Sequence, residues 1–138
     1  MARLVRIGVW LPGAVAVLCL FACQQPQGAE LAERAFQRHL SEVPITVSGA
    51  VVRLLADDTE EPRHQRFIIE TERGQTLLVL YNLGFGKRVP VQVSDQVTVR
   101  GEYIWNRHGG AVHRIHRDPR GRAPAGWLRI ERTRRHYP

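Results

Sequence analysis

Residues 97–119 read VTVRGEYIWNRHGGAVHRIHRDP. Val97, Val99, Gly101 and Tyr103 alternate with Thr98, Arg100, Glu102 and Ile104, the period-2 pattern of a half-buried strand. Asn106 to Gly110 supplies turn residues, with Gly109 and Gly110 free to take positive φ. A second short strand, Ala111 to about Arg117, follows. Asp118-Pro119 stops it, because proline brings no N–H to a ladder and pushes the residue before it toward an extended conformation. His113, His116 and Asp118 thus leave the hairpin near its end, where side chains can face a groove instead of the core.

Working upstream, Ile45, Val47, Gly49, Val51 and Leu55 share one parity, so a long strand with a central glycine is expected there, bent at that glycine. Ala56 to Arg63 is an acidic loop. Gln65 to Glu72 and Gln75 to Tyr81 are strands around Arg73-Gly74, a strong hairpin signal. The connection Asn82 to Asp95, with Gly84, Gly86 and Pro90, is long enough for an irregular cap. Before the first strand, Ala29 to Val43 reads as a helix, with Leu31, Ala35, Phe36, Leu40 and Val43 near i, i+4 spacing, Glu30 and Glu33 in its first turn, and Pro44 ending it. Helix first, then a long bent strand, a hairpin, an excursion and a closing hairpin is an order that resembles the OB-fold. The expected class is therefore mainly β, a five-stranded OB-like Greek-key barrel with an N-terminal helix, after a signal peptide.

Residues 1–22 read as that signal peptide. Arg3 and Arg6 make a positive n-region, and the apolar run to Ala22 is short for a spanning helix. Leu20-Phe21-Ala22-Cys23 resembles the bacterial lipobox, which implies cleavage before Cys23, lipidation of that cysteine and a membrane partner through the anchor. Gln24 in place of aspartate implies the periplasmic face of the outer membrane. Cys19 would be discarded, which leaves no second cysteine for a disulfide or a cysteine metal site. The expected organisation is a tether over 23–28 and one domain over 29–138, opening with helix 29–43 and closing in a basic end; a monomer is expected. The net charge of +7 is concentrated late, with eight arginines against Asp118 and Glu131 from Arg114 onward. This is either a solvated arginine tail or a patch for a polyanion.

His64-Gln65-Arg66-Phe67, Gly101-Glu102-Tyr103 with Trp105-Asn106, Gly109-Gly110, His113 with His116, Asp118-Pro119 and Gly126-Trp127 together resemble a small bacterial family known as domain of unknown function 3465. The resemblance runs from Val47 to about Ile130 and implies an exported domain of OB-like topology, with no established activity. The chain departs from that family's pattern at Tyr81, Arg117 and Ala123, where histidine is often found.

Three functional readings arise. The leading one is a binding module for an anionic or polymeric ligand (lipopolysaccharide, nucleic acid or glycan), with His64, Arg66, Trp105, His113, His116 and Asp118 as candidate contacts. Arg66 either pairs with the acidic loop or Glu102, or presents its guanidinium to a phosphate. Tyr103 and Trp127 read as core, Trp105 as the surface aromatic. The second reading is a metal-assisted phosphoester hydrolase, in which a divalent ion sits on His64, His113, His116 and Asp118. On a regular strand, however, His113 and His116 point to opposite faces about 10 Å apart. The third is an interaction module of the cell envelope whose histidines brace loops and whose Asp118 is a turn residue. No serine elbow, phosphate loop or dinucleotide fingerprint occurs, and Glu70, Glu72 and Glu102 read as ordinary strand carboxylates.

Overall fold

The structure is a computed structural model that describes residues 27–138. The expected signal peptide, lipidation site and most of the tether fall outside the described residues. A helix α1 (Gly28–Gln37) precedes seven strands: β1 (Val43–Leu55), β2 (His64–Glu70), β3 (Thr76–Asn82), β4 (Gln96–Ile104), β5 (Ala111–His113), β6 (Trp127–Ile130) and β7 (Arg135–Tyr137). β1 to β5 run β1-β2-β3-β5-β4, and β4 pairs back to β1, so these five strands close into a ring. This is the mainly β, barrel-like architecture expected from the sequence, helix first. Every contact around the ring is antiparallel except β3–β5, which is parallel.

The long first strand serves two neighbours. Its first half, Val43 to Ala50, pairs with β4, and its second half, Ala50 to Leu55, with β2. Gly49 lies at this change of partner, and the register slips between Val51 and Arg53, the bulge that lets a strand turn the corner of a barrel. Strict alternation then builds the core: Phe67 and Ile69 of β2, Leu77, Val79 and Tyr81 of β3, and Val97, Val99 and Tyr103 of β4 point inward and are buried.

Three boundaries differ from expectation. The helix ends at Gln37, not Val43, because His39 and Glu42 take left-handed φ of 53° and 61° and Pro44 holds the chain extended, so that Val43 opens β1. Its buried face is Ala29, Ala32 and Ala35, small residues that let it lie close on the sheet, while Leu40 is exposed. The strand after the Gly109-Gly110 turn stops at His113, four residues early, since Arg114 takes φ 53°. Finally, the C-terminal end is no solvated tail: β6 adds to the edge of β4, and β7 to β6.

Arg132 fastens that end. Its Nε lies 2.8 Å from Asp95 Oδ1 and its Nη2 3.1 Å from Oδ2, and it also donates to the Pro90 carbonyl at 3.0 Å. Asp95 is buried, and hydrogen bonding from Arg132 holds its carboxyl below the ordinary value. A carboxyl depressed in the folded state contributes stability that is complete above its unfolded value, near ~3.9, and is lost as pH falls through the folded value. Arg132→Ala is therefore expected to lower the thermal midpoint at pH 7 by about 5 °C and to narrow the gap between midpoints at pH 7 and pH 3. Equal losses at both pH values would count against this pair.

Candidate ligand-binding groove

Strand direction sorts the loops into two sets. β3 and β5 run parallel and β2 runs against β3, so the start of β2, the end of β3 and the end of β5 share one end of the barrel. Loops 56–63, 83–95 and 114–126 meet there. At the opposite end α1 meets the turns at 71–75 and 105–110: Gln75 Nε2 donates to the Ala32 carbonyl, and Trp105 Nε1 to the Phe36 carbonyl at 3.1 Å.

This division separates the residues singled out from sequence. Trp105 is half-buried beside Phe36, with ring centroids 6.4 Å apart, and fastens the helix to the barrel; it is not a surface platform. His64, Arg66, His113, His116 and Asp118 lie at the other end, each paired within the protein, His64 and Arg66 to the same aspartate. His64 Nδ1 is 2.7 Å from Asp58 Oδ2, and Arg66 Nε is 3.2 Å from Asp58 Oδ1 and donates to the Ala56 carbonyl at 2.8 Å. Arg66 thus pairs with the acidic loop. Arg88 pairs with Asp57 across to the β3–β4 loop. His113 Nε2 sits 3.0 Å from Glu102 Oε1, on the strand next to it. The four proposed metal ligands do not converge, and among the described residues no group of three or more histidine, cysteine or acidic side chains is arranged to hold a metal ion. The physical reason is the early stop of β5: beyond Arg114 the chain turns, carrying His116 and Asp118 away from His113 and its Glu102 partner.

That turn builds a groove. The left-handed Arg114 directs Ile115 into the core, where it is fully buried, and brings His116 under Phe85 of the β3–β4 loop. The two rings lie 4.0 Å apart and within 12° of parallel. Phe85 is placed from its own side by a tight turn, with Asn82 Oδ1 accepting from Gly84 N at 2.8 Å. The buried Gln65 amide then pairs with both the N–H and the carbonyl of Val89, holding the loop as a strand neighbour would. His116 Nδ1 donates to the Arg117 carbonyl at 2.9 Å, which fixes the imidazole plane.

Asp118 shapes the far wall. One carboxylate oxygen accepts from Arg120 N at 3.0 Å and the other from Arg122 N at 2.9 Å, and Gly121 N closes the turn on the Asp118 carbonyl at 2.9 Å. Those N–H groups, Arg120 first, hold the Asp118 carboxyl below its ordinary value. The Asp118 carboxylate thus caps the turn that carries Arg120 and Arg122. The resulting cavity, about 350 Å³, is floored by Phe85, His116, Pro119 and Pro124 and rimmed by Arg114, Arg120 and Arg122. It adjoins a second cavity of about 220 Å³ over Ile45, Arg100, Gly101 and Glu102, the two sharing Arg114, Ala123 and Pro124. Arg114 is 61 % exposed and only 3.7 Å-paired with Glu102, Arg122 is 68 % exposed and 3.8 Å from Asp118, and Arg120 forms no ion pair among the described residues. Phe85 is not among the residues expected from sequence, and Arg114, Arg120 and Arg122 enter there only as part of the basic end. A lone aromatic between Gly84 and Gly86, and arginines alternating with turn residues after Asp118, were the available signals.

Fold and groove together define a mainly β barrel with an N-terminal helix and a cationic, aromatic-floored groove at one end. The chain belongs to the family described as protein of unknown function (DUF3465), whose profile matches residues 14–136. No curated protein and no solved structure matches the chain.

Proposed function

We propose that this protein is a binding module that holds an anionic ligand in the groove between Phe85 and the arginines at 114, 120 and 122. The observation that carries the reading is the arrangement of that rim: three guanidinium groups, none held in a close ion pair among the described residues, over a floor of rings and prolines. Exposed guanidinium groups converging on a concave, partly apolar surface suit an acceptor-only group such as phosphate, which they can meet with paired N–H donors. His64, Arg66 and His113 stand behind the groove as braces that position its loops. Equilibrium binding to phosphate-bearing panels (nucleic acid, lipopolysaccharide) and to sulfated glycan at two salt concentrations tests the reading: saturable binding that weakens with salt supports it, and no saturable ligand at low salt refutes it.

We propose further that the module is anchored to a membrane. The apolar run before Cys23 and the lipobox-like LFAC support lipidation at Cys23 and the periplasmic face of the outer membrane. No helix among the described residues is long and apolar enough to cross a membrane. Cys23→Ser is expected to release the protein from the membrane fraction or to leave an unprocessed precursor; a processed variant that still sediments with the outer membrane would refute lipid anchoring.

A further inference from the structure

We infer that the anionic ligand carries a planar ring beside its phosphate, as a nucleotide unit does, with the ring on Phe85 and the phosphate at Arg114. The inference rests on the anion-binding reading above and narrows it to one ligand chemistry, whether as a free nucleotide or as a unit of a single strand.

Three features lead there. The first is the exposed aromatic. Phe85 is 49 % exposed, yet its ring is not free: His116 lies parallel beneath it, the Asn82 turn sets its backbone, and the Gln65 amide pins the loop behind it. A phenyl ring that is held flat and still shown to solvent offers a stacking surface with little ordering left to be done on binding. The second is the donor and acceptor balance. The rim around Phe85 presents arginines, which only donate. The one carboxylate there, Asp118, already accepts two backbone N–H bonds. A polyhydroxylated sugar needs acceptors as well as donors, whereas a phosphate needs donors alone. The third is continuity. Arg114 belongs to both cavities, so a phosphate held there would connect a ring in the first to a second group over Arg100 and Glu102.

Calorimetric titration of the full chain in detergent with adenosine 5′-monophosphate, ribose 5-phosphate, inorganic phosphate and a trinucleotide at low salt tests the inference. The nucleotide is expected to bind about tenfold tighter than ribose 5-phosphate, the increment of one stacked base. Phe85→Ala should bring the ratio of nucleotide to ribose 5-phosphate affinity down to about one, while Phe85→Tyr keeps it. Arg114→Ala should weaken both. A trinucleotide more than about tenfold tighter than the mononucleotide would identify a single strand as the source, and equal affinities a free nucleotide. Equal binding of nucleotide and ribose 5-phosphate, or a Phe85→Ala variant of unchanged melting temperature that weakens both alike, overturns the ring while leaving the anion-binding reading in place. Failure of all four ligands to bind at low salt overturns both.

Discussion

Gly110→Ala is expected to cost about 3 kcal/mol or more and to leave little folded protein at 37 °C. Gly110 sits at φ 105°, and a Cβ there would lie 2.2 Å from the Tyr103 ring. Tyr103 cannot move aside: it is fully buried, its hydroxyl donates to the Gly109 carbonyl at 3.2 Å, and burial pushes its pKa up to about 12, so it stays neutral across the working range. The Gly110 carbonyl also accepts from Leu78 N at 3.0 Å, next to the parallel β3–β5 pairing that closes the ring. Gly74→Ala is the control, because Gly74 has φ 78° but nothing within 4 Å of a Cβ. It should cost about 1 kcal/mol, the backbone share alone. Urea unfolding of both variants measures the difference, and equal costs would mean that the ring does not close against Tyr103.

Removing the rim is the largest functional change expected. Arg114→Ala, Arg120→Ala and Arg122→Ala in one chain should weaken binding of a phosphate-bearing ligand by roughly 100-fold, at about fivefold for each exposed guanidinium. The slope of log affinity against log salt should shrink by roughly 2 to 3 for a polyanionic strand. The fold should be untouched, since none of the three is buried and their recorded side-chain pairs with Glu102 and Asp118 are long, at 3.7 and 3.8 Å. Asp118→Ala tests the same rim from behind: it leaves all three arginines in the chain, frees the N–H groups of Arg120 and Arg122, and should weaken binding while reducing rim order.

The barrel was legible because its signals are local. Alternation along 97–103, the Arg73-Gly74 hairpin and the Gly109-Gly110 turn each declare themselves within a few residues, and the structure keeps all three. What was missed depends on partners far apart in sequence. β6 exists because Trp127 to Ile130 finds the free edge of the first half of β4, and β7 because β6 is then available; read alone, residues 129–135 are an arginine-rich end. Spacing overextends the helix for a related reason, since it counts Leu40 and Val43 as a stripe, whereas the left-handed turns at His39 and Glu42 show only in three dimensions. At the site, the sequence drew attention to histidines, and the structure pairs His64 with Asp58 and His113 with Glu102. Phe85 was passed over because its meaning comes from His116, a residue of a different loop. Trp105 drew attention because tryptophan is a frequent stacking residue, and here its indole is turned to the helix.

Whether the groove takes an anion is tested most directly by isothermal titration of the wild-type protein and the Arg114/Arg120/Arg122 triple alanine variant with a single-stranded oligonucleotide at about 20 and about 200 mM salt. Saturable binding to the wild type that falls steeply with salt, and is reduced by roughly 100-fold in the variant, is the predicted result. Equal affinity for wild type and variant at both salt concentrations would contradict it.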